Sequence, residues 1–517
     1  MLRCGALGRN VLTMLKSLVS TSLITLCIQG GVTMALDDVP KRPADLVLEG
    51  ELRGEDHRRI RLLPFEVPNG VESLAVRFDY DGKETKTVID IGLNGPKGFR
   101  GWSGGNKSQF QIGPLVATPS YLVGQVDPGR WELVLGVPNI RAESKASYRA
   151  EIWMEKRQYL PKERRVEARE AGWFRGDLHL HTGHSDGSCK SQAGKRIPCP
   201  LFKTVQQAVD QGLDFISITE HNTISHLQAI HEIEGYFDQI VVLPGVELTT
   251  FWGHVNLVGV MGHVDYVRAS KSPDDLQSVV EAARQSGAYA ILNHPGLPSG
   301  EACMGCGWSP GIEKAYNFDG LEVVNGGAVR STFGQVEGPF SGFGHWVAAL
   351  SAGRSMTAIG SSDNHDPTQI AETMGAIGRP ATVVFATELS APAIMTGLRS
   401  GRAFVDLDGV KGRILDLRLN GPSGAVAMGS SLSITKDTAL SATLSAVNLP
   451  ADATVQWMRN GEEMFSESVN SRENNVELTI RLTELSPGTH AVYVIVRKDS
   501  GRISAMTNPV YLKVLQN

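Results

Sequence analysis

The decapeptide Asp177-Leu-His-Leu-His-Thr-Gly-His-Ser-Asp186 sets two imidazoles two residues apart at the end of a short strand-like run. Alternate residues of a strand project to the same face, so His179 and His181 can reach one metal ion together. Gly183 and Gly187 mark a turn that brings the Asp186 carboxylate within reach of the same place. Such a pair alone is a modest signal. It gains weight because other apolar runs close on residues of the same kind: Glu220-His221-Asn222, Glu247, Asn293-His294-Pro295 and Ser362-Asp363-Asn-His365. His254 instead opens a run, His254–Gly259, and only six residues separate it from Glu247. A connection that short cannot make a parallel crossover, so the run must pair antiparallel with its predecessor. That returns His254 to the common end.

Mixed His and carboxylate donors suit Zn, Mn or Fe, and the absence of a clustered thiolate set argues against a Cys-type structural zinc site. Six histidines and three carboxylates exceed the three or four protein ligands of one catalytic zinc. Two or three divalent ions are therefore expected, with Glu247 a natural bridge. Such a centre polarises an ester or phosphoryl oxygen, lowers the pKa of bound water and stabilises the leaving oxygen. No nucleophilic serine elbow and no phosphate-cradling loop competes with it. His184, His226, His231, His263 and His345 lie in turns or helical stretches outside these strand-end clusters and read as structural or surface residues.

The elements that must position these groups follow from the alternation of short apolar runs with helical patterns, as in Phe202–Gln211 and Pro273–Ser286. That alternation predicts an α/β barrel or open sheet. Its strands end at Asp177–His181, Phe215–Glu220, Val241–Glu247, Ala290–His294, Leu321–Asn325 and Thr357–Asp363. Ligand-type residues gathered at the carboxyl ends of strands are the arrangement that carries chemistry in such folds. Residues 37–165 read as an all-β sandwich and linker, with runs Ser73–Phe78, Thr87–Ile91 and Trp131–Leu135 between turns and a charged stretch at Lys156–Glu170. Residues 410–517 repeat the β pattern in Leu440–Leu444, Ala453–Trp457, Val476–Ile480 and His490–Ile495, which suggests an immunoglobulin-like sandwich.

The chain has 517 residues, so several domains are expected. Residues 1–35 have a basic start at Arg3, Arg9 and Lys16, an apolar core from Leu18 to Ile28 and a small-residue site at Thr33-Met-Ala35. This is the pattern of a cleaved signal peptide. The core is too short for a comfortable membrane span, though an uncleaved anchor is the alternative. Its removal takes three positive charges and no acidic ones, moving the net charge from -5 to about -8. An acidic protein without a basic run lacks the footprint of a nonspecific nucleic-acid binder. A periplasmic or secreted protein without a stable membrane span is expected. Cys189, Cys199, Cys303 and Cys306 remain after cleavage. Three connectivities are possible, and the local pairs Cys189–Cys199 and Cys303–Cys306 are the simplest.

The ordered motifs DLHLHTxxSDG, TEHN, GVE, GHVNLVG, NHP and SSDNH resemble the PHP superfamily (polymerase and histidinol phosphatase domain), and within it the CehA/McbA-like metallohydrolase branch. The resemblance spans residues 172–405, including Gly378–Val384 and Leu398–Arg402. It implies a distorted seven-stranded β/α barrel holding up to three ions, flanked by the two sandwiches. By resemblance, His179, His181, Glu247 and Asp363 hold the first ion. Glu247, His254 and His294 hold the second, and Asp186, His221 and His365 the third. Glu220, where the family usually has Asp, and Asn222 are expected to support these ligands rather than bind metal. Glu247, Asp363 and His365 are the expected catalytic residues. Arg196, Arg379 and Arg402 are candidates to pair with a phosphate, each equally explicable as a structural salt-bridge residue.

The expected activity is hydrolysis of a small phosphoester by metal-activated water. Carbamate or carboxyl-ester hydrolysis on the same centre is the alternative. An exonuclease-type phosphodiesterase and a non-catalytic, metal-stabilised binding module stand behind it.

Overall fold

The computed structural model describes residues 39–158, 166, 169–301, 303, 305–422, 424–436, 438–469, 474–483 and 485–516. The expected signal peptide and most of the charged stretch at 156–170 lie outside the described residues. The chain is multidomain and strand-rich. Among the described residues, no helix is long and apolar enough to cross a membrane.

Residues 46–155 form two four-stranded antiparallel sheets. Alternating side chains, among them Val76, Phe78, Ile89, Ile91, Phe110, Trp131, Leu133 and Ile152, fill the space between them. Gln228 of the central unit bonds main-chain atoms of Ala117 from both ends of its amide, at 2.9 and 3.2 Å, which fastens this sandwich to its neighbour.

The central unit is built on nine strands: β1 (Glu170–Leu180), β2 (Phe215–His221), β3 (Val241–Thr249), β4 (His254–Val258), β5 (Tyr289–Leu292), β6 (Gly320–Asn325), β7 (Thr357–Ser361), β8 (Ala381–Glu388) and β9 (Ala403–Asp406). They lie in the order β7-β6-β5-β4-β3-β2-β1-β8-β9. β1, β2 and β3 are parallel, and so are β5, β6 and β7. β4 runs antiparallel to both β3 and β5, and the two reversals cancel. All six parallel strands therefore end on one side. Their sequences are nearly continuous apolar runs because both faces are covered. Ile216 and Ile218 of β2 pack on helix Leu201–Asp210 through Leu201, Val205 and Ala208, while Phe215 packs with Leu178, Val241, Tyr289 and Ile359.

The run of strands rolls until β7 meets β1 and β8. Leu180 bridges Asn364 in parallel, and Thr382 Oγ1 exchanges hydrogen bonds of 2.8 and 3.0 Å with the main chain of Gly360. This seam is one bridge plus side-chain bonds, where a regular barrel of seven strands would have a full ladder.

A second difference concerns the C-terminal region. Its strands were expected as a separate sandwich, yet strand Ile503–Thr507 pairs antiparallel with β9, so one sheet runs from the central unit into the C-terminal layer. An unpaired β9 edge would expose main-chain donors and acceptors, and the distant strand covers them. The junction is pinned by Asp406, fully buried between Arg175 of β1 and Arg413, the latter at 2.7 Å. Replacing Asp406 by Ala leaves two buried guanidinium groups without their shared counter-charge. It should cost about 3–5 kcal/mol of stability, read as a lower urea midpoint.

Candidate metal centre

β1 carries one residue more than β2 across Ile216–Ile218, where Asp177 and Leu180 are the paired positions. A bulge of this kind re-aims side chains. His179, inside it, and His181, just past it, are fully buried, with their Nε2 atoms 3.1 Å apart. Each Nε2 lies 3.3 Å from Glu247 Oε2 and 3.3 Å from Asp363 Oδ1. Five edges of a four-atom cage are thus 3.1–3.3 Å. Two nitrogens and one carboxylate oxygen at such distances form a triangle whose corners can all lie about 2 Å from one ion, the bond length of zinc to nitrogen and oxygen.

The other oxygen of Glu247 faces a second set. Its Oε1 lies 3.1 Å from His254 Nδ1 and 3.3 Å from His294 Nε2, and it accepts a 2.9 Å bond from Asn293. A third set is looser and nearer solvent. Asp186 Oδ1, on a side chain 57% exposed, lies 3.2 Å from His365 Nε2, 3.7 Å from His221 Nε2 and 3.9 Å from His181 Nδ1.

Mutually close ligand atoms fall into three overlapping groups: His179, His181 and Asp363; His179, Glu247 and His294; and His181, Asp186, His221 and His365. Three departures from the expected sets follow. Glu247 groups with His179 and His294 and not with His181 and Asp363, His254 approaches Glu247 but joins no group, and His181 turns its second nitrogen toward the third.

The outward nitrogens of the rings are held by the protein. Glu322, fully buried, takes His179 Nδ1 at 2.8 Å together with the main-chain N–H of His294, the Asn325 amide and the Ser361 hydroxyl. His294 Nδ1 donates to the Cys306 carbonyl at 3.0 Å, whereas His221 Nδ1 lies between Thr249 Oγ1 at 2.7 Å and Glu247 Oε2 at 2.9 Å. A ring that donates outward presents a bare lone pair inward. The inward contacts of His179 and His294 with Glu247 then set acceptor against acceptor. Only a proton or a cation between them relieves this, and divalent ions fit the donor set. His254 Nε2 is moreover buried without a hydrogen-bond partner.

The charge balance agrees. Burial opposes ionisation of Glu247, yet His179, His221 and His254 hold it well below the usual carboxylate range. Asp363 is lowered likewise, with burial outweighed by His179, His181 and His365. Burial opposes the charge on His221 and His365 too, but the facing carboxylates raise them to about 10 and about 9. The cluster draws positive charge into a buried space.

Around it, Glu220 accepts the Thr182 main-chain N–H at 3.0 Å and the hydroxyls of Thr182 and Ser185, which fixes the loop that carries Asp186. Asn222 trades 2.9 and 3.0 Å bonds with the Thr249 main chain, tying β2 to β3. Asn222, His294 and Asp363 have φ of 52°, 25° and 54°, in the left-handed region. For residues other than glycine each such conformation costs of order 1–3 kcal/mol, and such residues gather at functional sites.

Of the three arginines, Arg196 donates to Ser188 Oγ, on a segment whose main chain bonds the His365 carbonyl. Arg402 lies 3.6 Å over the Phe385 ring and 3.6 Å from Asp416. Phe385 pairs with Trp173, six residues before His179 and hence about 20 Å away along β1. Arg379 bends against Gly409, where a Cβ would meet its Nε at 2.8 Å, and it donates to the Glu372 carbonyl. Cys189 is bonded to Cys199 and Cys303 to Cys306, with Cα–Cα distances of 4.9 and 5.6 Å. Glu322 was not anticipated, although a charged residue inside the wholly buried run Gly320–Asn325 was its signal. A cavity of about 890 Å³ lies at the opposite end of the strands, beside Phe318, Met356 and Tyr511, and the clustered groups do not line it.

No family model matches the chain. An uncharacterized protein of Methanocaldococcus jannaschii is 27% identical over 158 residues, 29% of this chain and 82% of the relative. Among solved structures, a two-domain protein from Bacteroides vulgatus, described as containing a predicted PHP-like metal-dependent phosphoesterase, is 20% identical. The match covers 68% of this chain and 98% of that one with a TM-score of 0.37. A Jonesia denitrificans lytic polysaccharide monooxygenase is 13% identical over 16% of this chain and 57% of its own, with a TM-score of 0.12. At these levels neither fold nor chemistry is taken from the neighbours.

Glu322→Gln removes the charge behind His179 and should lower metal affinity about 10- to 100-fold, measured by competition with a chromophoric chelator. His226 supplies a pH prediction. Burial pushes its imidazole down to about 4 from 6.5. Its contribution to stability is therefore complete above pH 6.5 and lost as pH falls toward 4. Relative to the wild type, His226→Leu should flatten the stability-versus-pH curve over that window by about 3 kcal/mol, measured by urea denaturation of the chelated protein.

Proposed function

We propose that the chain is an exported metal-dependent hydrolase acting on a small phosphoester, with residues 172–405 as its catalytic unit. The observation that carries this reading is Glu247, a buried carboxylate whose two oxygens face separate sets of imidazole nitrogens at ligand spacing. A bridging carboxylate between adjacent cations is the arrangement of two-metal hydrolases. His179, His181, Glu247 and Asp363 would hold one ion, Glu247 and His294 with His254 a second, and Asp186, His221 and His365 a third. When bound, divalent ions lower the pKa of water and polarise a phosphoryl or ester oxygen.

The protein's own contributions are positional. Glu322, Cys306 and Thr249 fix the ring orientations, so the donors need not reorganise when charge develops. The buried side of the cluster excludes bulk water, whereas Asp186, His221 and His365 are partly exposed and mark the side from which substrate enters.

The test is a panel of phosphomonoesters, phosphodiesters and aryl carbamates assayed with added Mn, Zn or Fe. Phosphoester turnover is expected, and exclusive carbamate turnover would replace this reading with its alternative. His181→Ala and Asp363→Ala should keep a folded circular-dichroism spectrum while losing more than about a hundredfold in rate, since even supporting residues cost that much. Normal rates in either variant would refute the assignment.

A further inference from the structure

The segment between the third ligand group and helix Leu201–Asp210 is a small hairpin with a distinctive charge pattern. Strands Ser188–Lys190 and Arg196–Pro198 pair antiparallel, and the Cys189–Cys199 disulfide closes their base. The hairpin is fastened to the metal-ligand loops. Ser188 N–H donates to the His365 carbonyl at 2.7 Å, Cys199 N–H to the Gly187 carbonyl at 2.9 Å, and Gly183 N–H to the Cys199 carbonyl at 2.7 Å. Cys189 and Cys199 are buried, whereas Lys190, Lys195 and Arg196 are exposed.

Lys190 sits directly opposite Arg196 in the ladder. Residues opposite one another in an antiparallel pair share a face with Cβ atoms about 4.5–5.5 Å apart, and like charges placed there repel. Nothing in the hairpin answers them. Its sequence, Ser188 to Pro198, contains no Asp or Glu. Among the described residues, no carboxylate lies within salt-bridge distance of Lys190, Lys195 or Arg196. Arg196 spends only its Nε, donated to Ser188 Oγ at 2.8 Å. Its two terminal nitrogens stay available, one residue's reach from the segment that bonds His365. A net-acidic protein thus keeps three unanswered cations on a disulfide-braced finger beside its metal cluster. The disulfide and the main-chain bonds fix the backbone positions from which the cations project, and a bound anion would offset their repulsion.

We propose that this hairpin is a second anion subsite, so that the substrate carries, besides the scissile ester, a further carboxylate or phosphate that Arg196 and Lys190 grip. The inference rests on the phosphoester reading and narrows it from small phosphoesters in general to phosphoesters of acidic molecules. Arg196 thereby recognises the distal anion, with Lys190 completing a charge clamp around it.

Calorimetry on the metal-loaded full chain tests this with two non-hydrolysable probes, propylphosphonate and 3-phosphonopropionate, which differ in a terminal carboxylate. The wild type should prefer 3-phosphonopropionate by about tenfold, the worth of one charge-assisted hydrogen bond. In the Lys190→Gln/Arg196→Gln variant, which keeps both cysteines, the preference should fall to about twofold or less. Equal affinities in the wild type, or a preference retained by the variant, would overturn the subsite and leave the phosphoesterase reading standing. Binding of neither phosphonate would overturn both.

Discussion

A carboxylate with 1% of its surface exposed has to have its charge answered by its neighbours, and Glu247 is that carboxylate. Burying a charge without compensation costs several kcal/mol even after relaxation. Here the compensation comes from imidazoles on four other strands or strand ends: His179 and His181, His221, His254 and His294. Imidazole answers a carboxylate only when it carries a proton or shares a cation. Because Glu322 and the Cys306 carbonyl take up the outward N–H groups of His179 and His294, their inward nitrogens are lone pairs. The outer hydrogen bonds therefore decide that the compensating charge belongs between the ligands. This is why the arrangement reads as a metal centre and not as a set of satisfied core histidines.

The topology serves the same constraint. Six strands end on one side even though β4 is inserted antiparallel, and that insertion puts His254 opposite Thr249 and Asn256 opposite Glu247. An all-parallel sheet would have sent the residue after β3 away into a crossover. The short β3–β4 turn instead brings a second ligand-bearing strand end to the same carboxylate. The left-handed backbone at Asn222, His294 and Asp363 does comparable work at the ends of β2, β5 and β7. It turns the chain sharply, so that the last strand residues and the first loop residues face one point.

Much of this was legible in the sequence for physical reasons. Ligand residues at strand ends have a spacing signature, and the six residues between Glu247 and His254 permit only a hairpin. Supporting residues leave a fainter trace. Glu322 stands in a strand buried on both faces, where no alternation marks which side a residue takes, and only its charge in an apolar run betrays it. The arginines stayed open between phosphate and salt-bridge roles for the opposite reason. A long flexible side chain near a motif in sequence can point anywhere, and Arg402 points to Phe385 and Asp416. The continuity of the central sheet with the C-terminal layer was invisible because β9 and strand Ile503–Thr507 lie roughly a hundred residues apart. Pairing at that separation leaves no local pattern.

That hidden pairing changes what the C-terminal region is for. Arg175, which Asp406 grips, is four residues before His179 on β1, and its other nitrogen donates to the Gly378 carbonyl. Gly378 in turn donates its N–H to Asp177, which also accepts from Ser362, the residue before Asp363. A chain of buried hydrogen bonds thus runs from the junction with the C-terminal layer to the two segments that supply His179 and Asp363. β1 holds its bulge, and with it the aim of His179 and His181, because it is paired on both edges and its Arg175 is tied to Asp406. The covering strand Ile503–Thr507 braces β9, β9 presents Asp406, and Asp406 restrains β1. The C-terminal layer is in this sense part of the scaffold that keeps the ligand atoms at 3.1–3.3 Å, a spacing that a freely hinged barrel edge would not maintain.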